Sequence, residues 1–390
     1  LECTGFFTLD GTTPNAWEKY SGLYQTRDGH VRIHANFSHH RDGVLDLLEL
    51  PRGNNAERKD VESALMQWNA QDFEDAAAAA GLVVAKARSF EEWDQHPHAR
   101  QTTDLPLLSI KKIGDAEPRR LPSANATDLP LTGLRVLDLT RILAGPTCGR
   151  ALALYGAEVM LVNSPTLPNI EAIIDTSRGK RSALLNLKTP SGKASLLDLA
   201  RDAHVFVQGY RPTALAQLQL DPESLAEARP GIVYVSLSAY GSTGTWAERR
   251  GFDSLVQTAT GMNHAEGHAA AKDIPKALPL SILDYASGFF MAYAAQVALH
   301  RQALEGGSWH VEVSLLQTAN WLRSLGRMSY VKPTARLNLK GELAEFPCSE
   351  GVLQGMPHAA QFSTTQPAYK YPSTRPGADR PYWTDSDNSA

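Results

Sequence analysis

An aspartate at the start of an apolar stretch is the residue of this sequence best suited to covalent chemistry. Asp284 lies in the segment 281–288 (SILDYASG), directly before a run of apolar residues with helical spacing. A carboxylate there would act as the helix N-cap, because it accepts backbone N–H bonds and suits the helix dipole. The same helix end would keep the carboxylate ionised, and an ionised carboxylate can attack the carbonyl carbon of a thioester. Asp284 is therefore both a predicted cap and a candidate nucleophile.

Basic residues recur near the ends of the predicted strands. They are Arg178, Lys180, Arg181, Lys188, Arg211, Arg249 and Arg250. Open α/β sheets bind ligands at the carboxyl ends of their strands, and a ligand with several phosphate groups, such as a CoA, needs cations there. The spacing leaves two interpretations open, a solvated surface and an anion site.

Several common chemistries lack their motifs. The turn 144–149 (AGPTCG) does not have the glycine spacing of a dinucleotide site, and Asn163 stands where such a site has an acidic residue. Phosphate-binding loops, nucleophile elbows and zinc-protease helices are also missing. The pairs His39-His40 and His96/His98 have no cysteine or carboxylate at a ligand spacing, so we interpret them as polar loop residues and predict no metal site.

Composition is that of an ordinary globular enzyme. The 390 residues are 43% hydrophobic and 21% charged, with a formal net charge of -4, which favours neither nucleic acid nor an anionic membrane. Three widely spaced cysteines indicate a reducing compartment, and we expect a cytoplasmic protein. The apolar run 285–299 is interrupted and short for a membrane span, and Leu1 in place of methionine suggests a trimmed end and not a signal peptide.

The pattern of predicted elements divides the chain into parts. After an extension over 1–17, a hairpin with its turn at 27–29 and helices near 43–50, 60–69, 71–80 and 90–93 form a small α+β unit over 18–122. From 123 to 330, strands at 134–139, 157–162, 182–187, 204–208 and 231–237 alternate with helices. The fold class is therefore α/β, with a doubly wound, Rossmann-like parallel sheet. Residues 331–390 are predicted to be an extended tail.

An ordered set of short motifs in 131–325 resembles the family III CoA-transferases, the group that includes formyl-CoA transferase and carnitine CoA-transferase. Each motif alone is weak, but their order is specific. The motifs are 130–140 (PLTGLRVLDLT), 144–146 (AGP), 156–159 (GAEV), 179–182 (GKRS), 186–188 (NLK), 210–212 (YRP), 230–234 (PGIVY), 238–241 (SAYG) and 251–254 (GFDS).

The resemblance implies a ping-pong CoA transfer in which Asp284 carries an acyl anhydride and then a CoA thioester. CoA or acyl-CoA would be a substrate, with no tightly bound cofactor. By motif position, the residues that would line the CoA site are Ile142, Leu143, Leu185, Asn186, Lys188, Tyr210, Arg211 and Arg250. The family also implies an interlocked homodimer.

The chain departs from the family pattern in its order, because 18–122, with Trp93 and His96-Pro97, resembles the small domain that follows the large one in the family. We interpret the chain as a rearranged member with the C-terminal half first. Two alternatives stay open. One is a 2-methylacyl-CoA racemase, although Phe252 stands where racemases of this fold have the histidine of a two-base pair. The other is a CoA-binding scaffold without catalysis.

Overall fold

The N-terminal part of the computed structural model is a small sheet with helices around it. The structure describes residues 6–15, 17–122, 125, 128–328, 339 and 341–384. After β1 (Thr8–Leu9), its elements are β2 (Gly22–Gln25), β3 (His30–Ile33), α1 (Ser38–Leu47), α2 (Arg58–Leu65), α3 (Ala70–Ala79), β4 (Val84–Lys86), α4 (Phe90–Asp94) and α5 (Pro97–Thr102). Strands β2 and β3 form the predicted hairpin, and the Thr26 N–H donates to the Gly29 carbonyl across its turn.

The larger part of the chain is built on one sheet. Its first elements are β5 (Leu108–Gly114), β6 (Arg135–Leu139), α6 (Ala144–Leu154), β7 (Glu158–Asn163), α7 (Ile173–Thr176), β8 (Lys180–Leu184), α8 (Pro190–Asp202), β9 (Val205–Gln208), α9 (Pro212–Ala216), α10 (Pro222–Ala228) and β10 (Val233–Ser238). They are followed by α11 (Asp253–Ala259), α12 (Met262–Ala269), α13 (Ile282–Glu305), β11 (Ser308–Ser314) and α14 (Leu315–Ser324).

The seven strands lie in the order β5-β11-β10-β9-β6-β7-β8, and all neighbours except the β5–β11 pair are parallel. From β6 the chain first adds β7 and β8 on one side and then returns to add β9, β10 and β11 on the other. The gap between the carboxyl ends of β6 and β9 is therefore the topological switch point, where open α/β sheets bind their ligands. The predicted doubly wound parallel sheet is confirmed.

Apolar side chains cover both faces of this sheet. Valines of β6, β7, β9, β10 and β11 pack against α6 and α13 on one face. On the other face, Leu137, Met160, Phe206 and Tyr234 pack with residues of α8. Continuous apolar strands of this kind are expected where helices cover both sides of a parallel sheet.

Helix α13 is the central helix of one face. This helix has 24 residues, and an 18-residue window of it has a mean hydropathy of 1.2, so it is long and apolar enough to cross a membrane by length and composition. However, 61% of that window is buried inside the protein. Met291, Ala295 and Ala298 are fully buried against the sheet and α6. These contacts are those of a core helix.

The N-terminal unit shares its core with the large part. Val83, Ala85 and Trp93 belong to the same buried cluster as Trp246 and Leu255. A buried carboxylate bridges the two parts, because Glu74 pairs with both Arg88 and, at 3.3 Å, Arg249.

The predicted division at residue 122 stays a prediction, although β5, from the predicted small unit, pairs with β11 at the edge of the large sheet. The predicted extended tail begins in residues that are mostly outside the described part. Its described segment forms β12 (Ala344–Phe346) and β13 (Leu353–Gly355), and β13 pairs with β1. Trp383 is buried in the core on the α8 face.

Candidate active site

Asp284 lies in the first turn of α13, three residues after the N-cap Ser281. The prediction that Asp284 itself is the cap is wrong. Ser281 makes no side-chain cap bond, and the carboxylate of Asp253 takes this role from the neighbouring helix α11. The Asp284 N–H donates to Asp253 Oδ2 at 2.9 Å, and the Leu283 N–H lies near enough to that carboxylate to lower its pKa. This frees the Asp284 side chain from capping.

A buried amide network fixes Asp253 in turn. The Gln257 side-chain amide donates to Asp253 Oδ1 and, at 3.2 Å, to the Leu280 carbonyl. Its oxygen accepts the side-chain amide of Asn263 at 3.1 Å and the Leu278 N–H at 3.3 Å. Since both hydrogens and the oxygen of Gln257 are engaged, its orientation is determined, and with it the orientation of Asp253.

The two carboxyl groups are buried close together, with exposed fractions of 3% for Asp253 and 7% for Asp284. Burial and the charge of Asp253 raise the pKa of Asp284 well above its ordinary value. Burial raises the pKa of Asp253 as well, and its hydrogen bonds and Arg32 offset only part of the rise. The expectation that the helix end keeps Asp284 ionised is therefore wrong for the chain without ligand. Desolvation and a like charge outweigh the dipole.

The loop after β6 carries Ile142 and Leu143 to the switch point, immediately before α6. Ile142 has φ = 74°, a left-handed conformation that is strained for a β-branched residue. Leu143 is buried. Gly288, one turn after Asp284, brings α13 onto this region, because a Cβ at that position would lie 2.5 Å from the Ala144 carbonyl oxygen. The two helices therefore approach backbone to backbone beside the candidate nucleophile.

Three arginines gather at the switch point without a carboxylate partner among the residues that the structure describes. Arg141 follows β6, Arg211 follows β9, and Arg250 precedes α11. Burial and the charge of Arg211 lower the pKa of Arg250, so the two guanidinium groups are near enough to repel each other. Tyr210 is half-buried near Arg141, whose positive charge offsets part of the rise that burial causes in the Tyr210 pKa. The structure thus brings together the predicted Tyr210, Arg211 and Arg250.

Two polar atoms beside these arginines are buried and have no hydrogen-bond partner in the described part of the chain. They are Arg141 Nε and His40 Nδ1. His40 Nε2 lies 3.4 Å from Arg250 Nη1, and burial, with the nearby charges of His39, Arg250 and Arg141, lowers the His40 pKa to about 3. Arginines without a carboxylate partner, beside buried donors that lack an acceptor, are suited to bind an anion.

The basic segment 178–181 has a different role. Lys180 Nζ lies 2.8 Å from Asp138 Oδ2, and Arg178 Nη2 lies 2.7 Å from Asp175 Oδ1, with all four side chains buried. Arg181 contacts Glu158 and Asp379. For these three residues neither surface solvation nor anion binding holds, because each neutralises an internal carboxylate.

The remaining predicted CoA contacts follow β8, the edge strand that β7 separates from β6. Leu185 follows β8 and is buried in the core with Leu139 and Val162. Asn186 is half-buried and accepts the Lys188 N–H at 3.2 Å, whereas the Lys188 side chain is exposed. Their roles stay predictions.

His40 and His98 are not the polar loop residues that the sequence suggested. His40 is buried in α1, and His98 is buried in α5. His98 Nδ1 accepts the Trp246 N–H at 3.1 Å, so its Nε2–H donates to the Tyr240 carbonyl at 2.9 Å. No group of histidine, cysteine and acidic side chains that could hold a metal occurs among the described residues.

Sequence reasoning missed Asp253, Gln257, Arg141 and His40 as parts of the site. A signal existed for two of them, since Asp253 lies inside the motif 251–254 and Arg141 precedes Ile142 at the end of a predicted strand. His40 and Gln257 carry none, because their contacts depend on how distant elements pack.

Two of the known proteins similar to this chain are named as CoA-transferases. An acyl-CoA transferase of Gibberella moniliformis is 30% identical over 315 residues, covering 76% of this chain and 55% of that protein. A succinate–glutarate CoA-transferase of Agrobacterium fabrum is 32% identical over 230 residues, covering 53% and 57%. The crystal structure of Rv3272 from Mycobacterium tuberculosis aligns with a TM-score of 0.45 at 32% identity, over 54% of this chain and 58% of that one. The chain thus spans about half the length of the curated relatives it matches.

The family assignment comes from a match over residues 131–345, which include the whole switch point and both carboxylates. The match covers more than half of the chain. On this evidence the chain belongs to CoA-transferase family III.

Proposed function

We propose that this chain transfers CoA from an acyl-CoA to a carboxylic acid, with Asp284 as the nucleophile. The observation that carries the proposal is a buried aspartate, held in the first turn of α13 by Asp253, where α13 packs onto the helix that follows the switch-point loop. The relatives named as acyl-CoA and succinate–glutarate CoA-transferases support this reaction class.

The proposed reaction passes through two kinds of covalent intermediate on Asp284, an anhydride and a thioester. An Asp284 oxygen attacks the thioester carbonyl, the C–S bond breaks, and an acyl-aspartyl anhydride and CoA thiolate result. The thiolate then attacks the aspartyl carbonyl, which releases the donor carboxylate and leaves an aspartyl-CoA thioester. An acceptor carboxylate attacks the carbonyl of this thioester, the C–S bond breaks, and a second acyl-aspartyl anhydride and CoA thiolate form. The thiolate then attacks the acyl carbonyl of this anhydride, which gives the new acyl-CoA and releases the Asp284 carboxylate.

The unpaired arginines would bind the phosphate groups of CoA. Arg141, Arg211 and Arg250 lie at the carboxyl ends of strands or in the loop before α11, where no described carboxylate neutralises them. Charge-assisted hydrogen bonds to phosphate oxygens would satisfy their free donors. Binding energy from this remote nucleotide part would hold the thioester beside Asp284 and the covalent intermediates in place.

The racemase alternative is less well supported. A two-base reaction needs a second proton carrier, and Phe252 stands in place of the expected histidine. His34 stacks on Phe252 with ring centroids 4.0 Å apart, but it is 6% exposed and burial lowers its pKa to about 3. A buried neutral imidazole behind Phe252 is poorly placed to exchange a substrate proton.

Trapping of the covalent intermediate tests the proposal. Wild type and Asp284→Asn would be incubated with short, branched and dicarboxylic acyl-CoAs, quenched with hydroxylamine and analysed by peptide mass spectrometry. A hydroxamate at Asp284 in wild type alone is the expected result. CoA binding without an adduct from any donor would contradict the transferase mechanism, and deuterium exchange at the acyl 2-carbon would then distinguish a racemase from a scaffold.

We also propose that the protein is a cytoplasmic homodimer, interlocked as the family resemblance implies. Light scattering coupled to size-exclusion chromatography measures the mass in solution. A monomeric mass at working concentration would contradict the dimer.

A further inference from the structure

We propose that Asp253 is a positioning residue for Asp284, which caps α13 from the neighbouring helix and so fixes the backbone that carries the nucleophile. The inference rests on the proposed function, because it takes Asp284 as the nucleophile. It adds a second residue to the reaction, one that contacts Asp284 and not the reacting atoms.

The geometry of the cap carries this proposal. The cap residue of α13, Ser281, makes no side-chain bond to the helix. Asp253 instead accepts the Asp284 N–H at 2.9 Å, and the Leu283 N–H lies near enough to the same carboxylate to lower its pKa. The Asp253 carboxylate thus fixes the peptide group of Asp284 itself, in the turn from which the Asp284 side chain projects. A shift of about 1 Å in a reacting group can cost on the order of 100-fold in rate, so this restraint matters for catalysis.

A carboxylate is an energetically unfavourable side chain for this cap. An uncharged Ser, Thr or Asn side chain could accept the same N–H groups without adding charge next to Asp284. Asp253 is almost fully buried, and Gln257 binds its other oxygen. The hydrogen bonds from the Asp284 N–H and from Gln257 favour the ionised form of Asp253, whereas burial and the charge of Asp253 raise the pKa of Asp284. The charged groups that act on the pair are the two carboxylates themselves and Arg32 of β3.

Two variants separate positioning from simple stability. Asp253→Ala removes the acceptor, whereas Asp253→Asn keeps an oxygen that can accept the Asp284 N–H but removes the charge. Asp221 is a matched control, because it also caps a helix: its side chain accepts the Ser224 N–H of α10 at 3.0 Å. Helix α10 packs with Tyr234 on the face of the sheet opposite to α13, so this cap is remote from Asp284. The rate of Asp284 adduct formation would be measured against acyl-CoA concentration and pH for Asp253→Ala, Asp253→Asn and Asp221→Ala.

We expect Asp253→Ala to slow adduct formation about 100-fold with little change in the half-saturating acyl-CoA concentration. Asp253→Asn should recover part of this rate and move the pH midpoint of adduct formation downward, because Asp284 loses a neighbouring negative charge. Asp221→Ala should change neither rate nor midpoint. An Asp253→Ala rate equal to that of wild type, or an unmoved midpoint in Asp253→Asn, would overturn the proposal.

Hydrogen–deuterium exchange gives a readout that does not need the reaction. In Asp253→Ala the peptide covering 281–288 should exchange faster than in wild type, while peptides of α10 stay unchanged. Unchanged exchange over 281–288 would also overturn the proposal. If wild type forms no adduct but this exchange effect occurs, the proposed function fails and the cap itself is still established.

Discussion

Lys180 Nζ lies 2.8 Å from Asp138 Oδ2, and neither side chain has any exposed surface. The same ammonium group donates to the Pro146 carbonyl at 2.8 Å, and Gly149 leaves the room that the pair needs, since a Cβ there would lie 2.1 Å from Asp138 Oδ2. Lys180 therefore joins β8, β6 and α6 directly beneath the switch-point loop. It supports the site from below and is unavailable to a ligand.

Loss of this lysine should destabilise the fold strongly. Lys180→Met leaves Asp138 buried without its partner, for which we expect a loss of about 3–5 kcal/mol in the free energy of unfolding. The double variant Asp138→Leu/Lys180→Met should lose less, since no charge is left unpaired. Urea unfolding measures both.

Lys111 provides the control for this variant. Its ion pair with Glu312 is at 3.0 Å but the lysine side chain is 67% exposed. Lys111→Met should therefore change the free energy of unfolding by less than about 1 kcal/mol. Equal losses for the two lysine variants would show that burial does not determine the strength of the Lys180 pair.

Unlike Lys180, the arginines of the switch point should matter for CoA binding and little for stability. Arg250→Ala removes a cation that burial and Arg211 already make unfavourable, so stability should change little. The affinity for CoA should fall about 10-fold to 100-fold, because charge-assisted hydrogen bonds to phosphate are lost. Isothermal titration with CoA measures this affinity.

Arg201 is the matched control for the affinity measurement, because it is 67% exposed on α8 and pairs with Asp198. Arg201→Ala should leave CoA binding unchanged. A CoA affinity that is equal in Arg250→Ala and wild type would remove Arg250 from the proposed phosphate site.

Periodicity in the sequence was sufficient for the scaffold. The apolar runs that predicted strands at 134–139, 157–162 and 204–208 correspond to β6, β7 and β9, because buried parallel strands need uninterrupted apolar residues. Strand β5 was not predicted. Its two exposed lysines, Lys111 and Lys112, suit an edge strand but weaken the apolar pattern.

The electrostatics of the site could not be predicted from local sequence. Arg249 and Arg250 are neighbours in the chain, yet Arg249 pairs with the buried Glu74 and Arg250 faces Arg211 and His40. Likewise, Asp253 contacts a residue 31 positions away. Whether a charge is paired or free depends on tertiary contacts that no spacing rule contains.

The Asp253/Asp284 pair should make stability depend on pH. Burial raises the pKa of Asp253 to about 7 and that of Asp284 well above its ordinary value, whereas both are about 3.9 in the unfolded chain. The folded state thus binds protons more tightly, so the pair's contribution to stability is complete below about pH 4 and is lost as the pH rises through 7.

Urea unfolding at a series of pH values tests this dependence. Wild type should lose up to about 1.4 kcal/mol per pH unit for each proton released between pH 4 and 7. Asp284→Asn removes one titrating group and should flatten this slope. A slope that is the same in both proteins would show that the pair does not titrate in this range.

The strained backbone of Ile142 should be needed for activity and unfavourable for stability. At φ = 74° a β-branched residue costs about 1–2 kcal/mol relative to glycine, so Ile142→Gly should raise the free energy of unfolding by up to that amount. Because the side chain is predicted to line the thioester end, the rate of adduct formation should fall.

Glu49→Gly separates these two effects. Glu49 is exposed, with φ = 57°, at the end of α1 and outside the switch point. The glycine there should relieve a similar strain, smaller because glutamate is not β-branched, and leave adduct formation unchanged. If Ile142→Gly kept the full rate, the loop would be strained for a reason other than the reaction. If only Ile142→Gly lost activity while both variants gained stability, the strained conformation at the switch point would lower the stability of the fold and be required for the reaction.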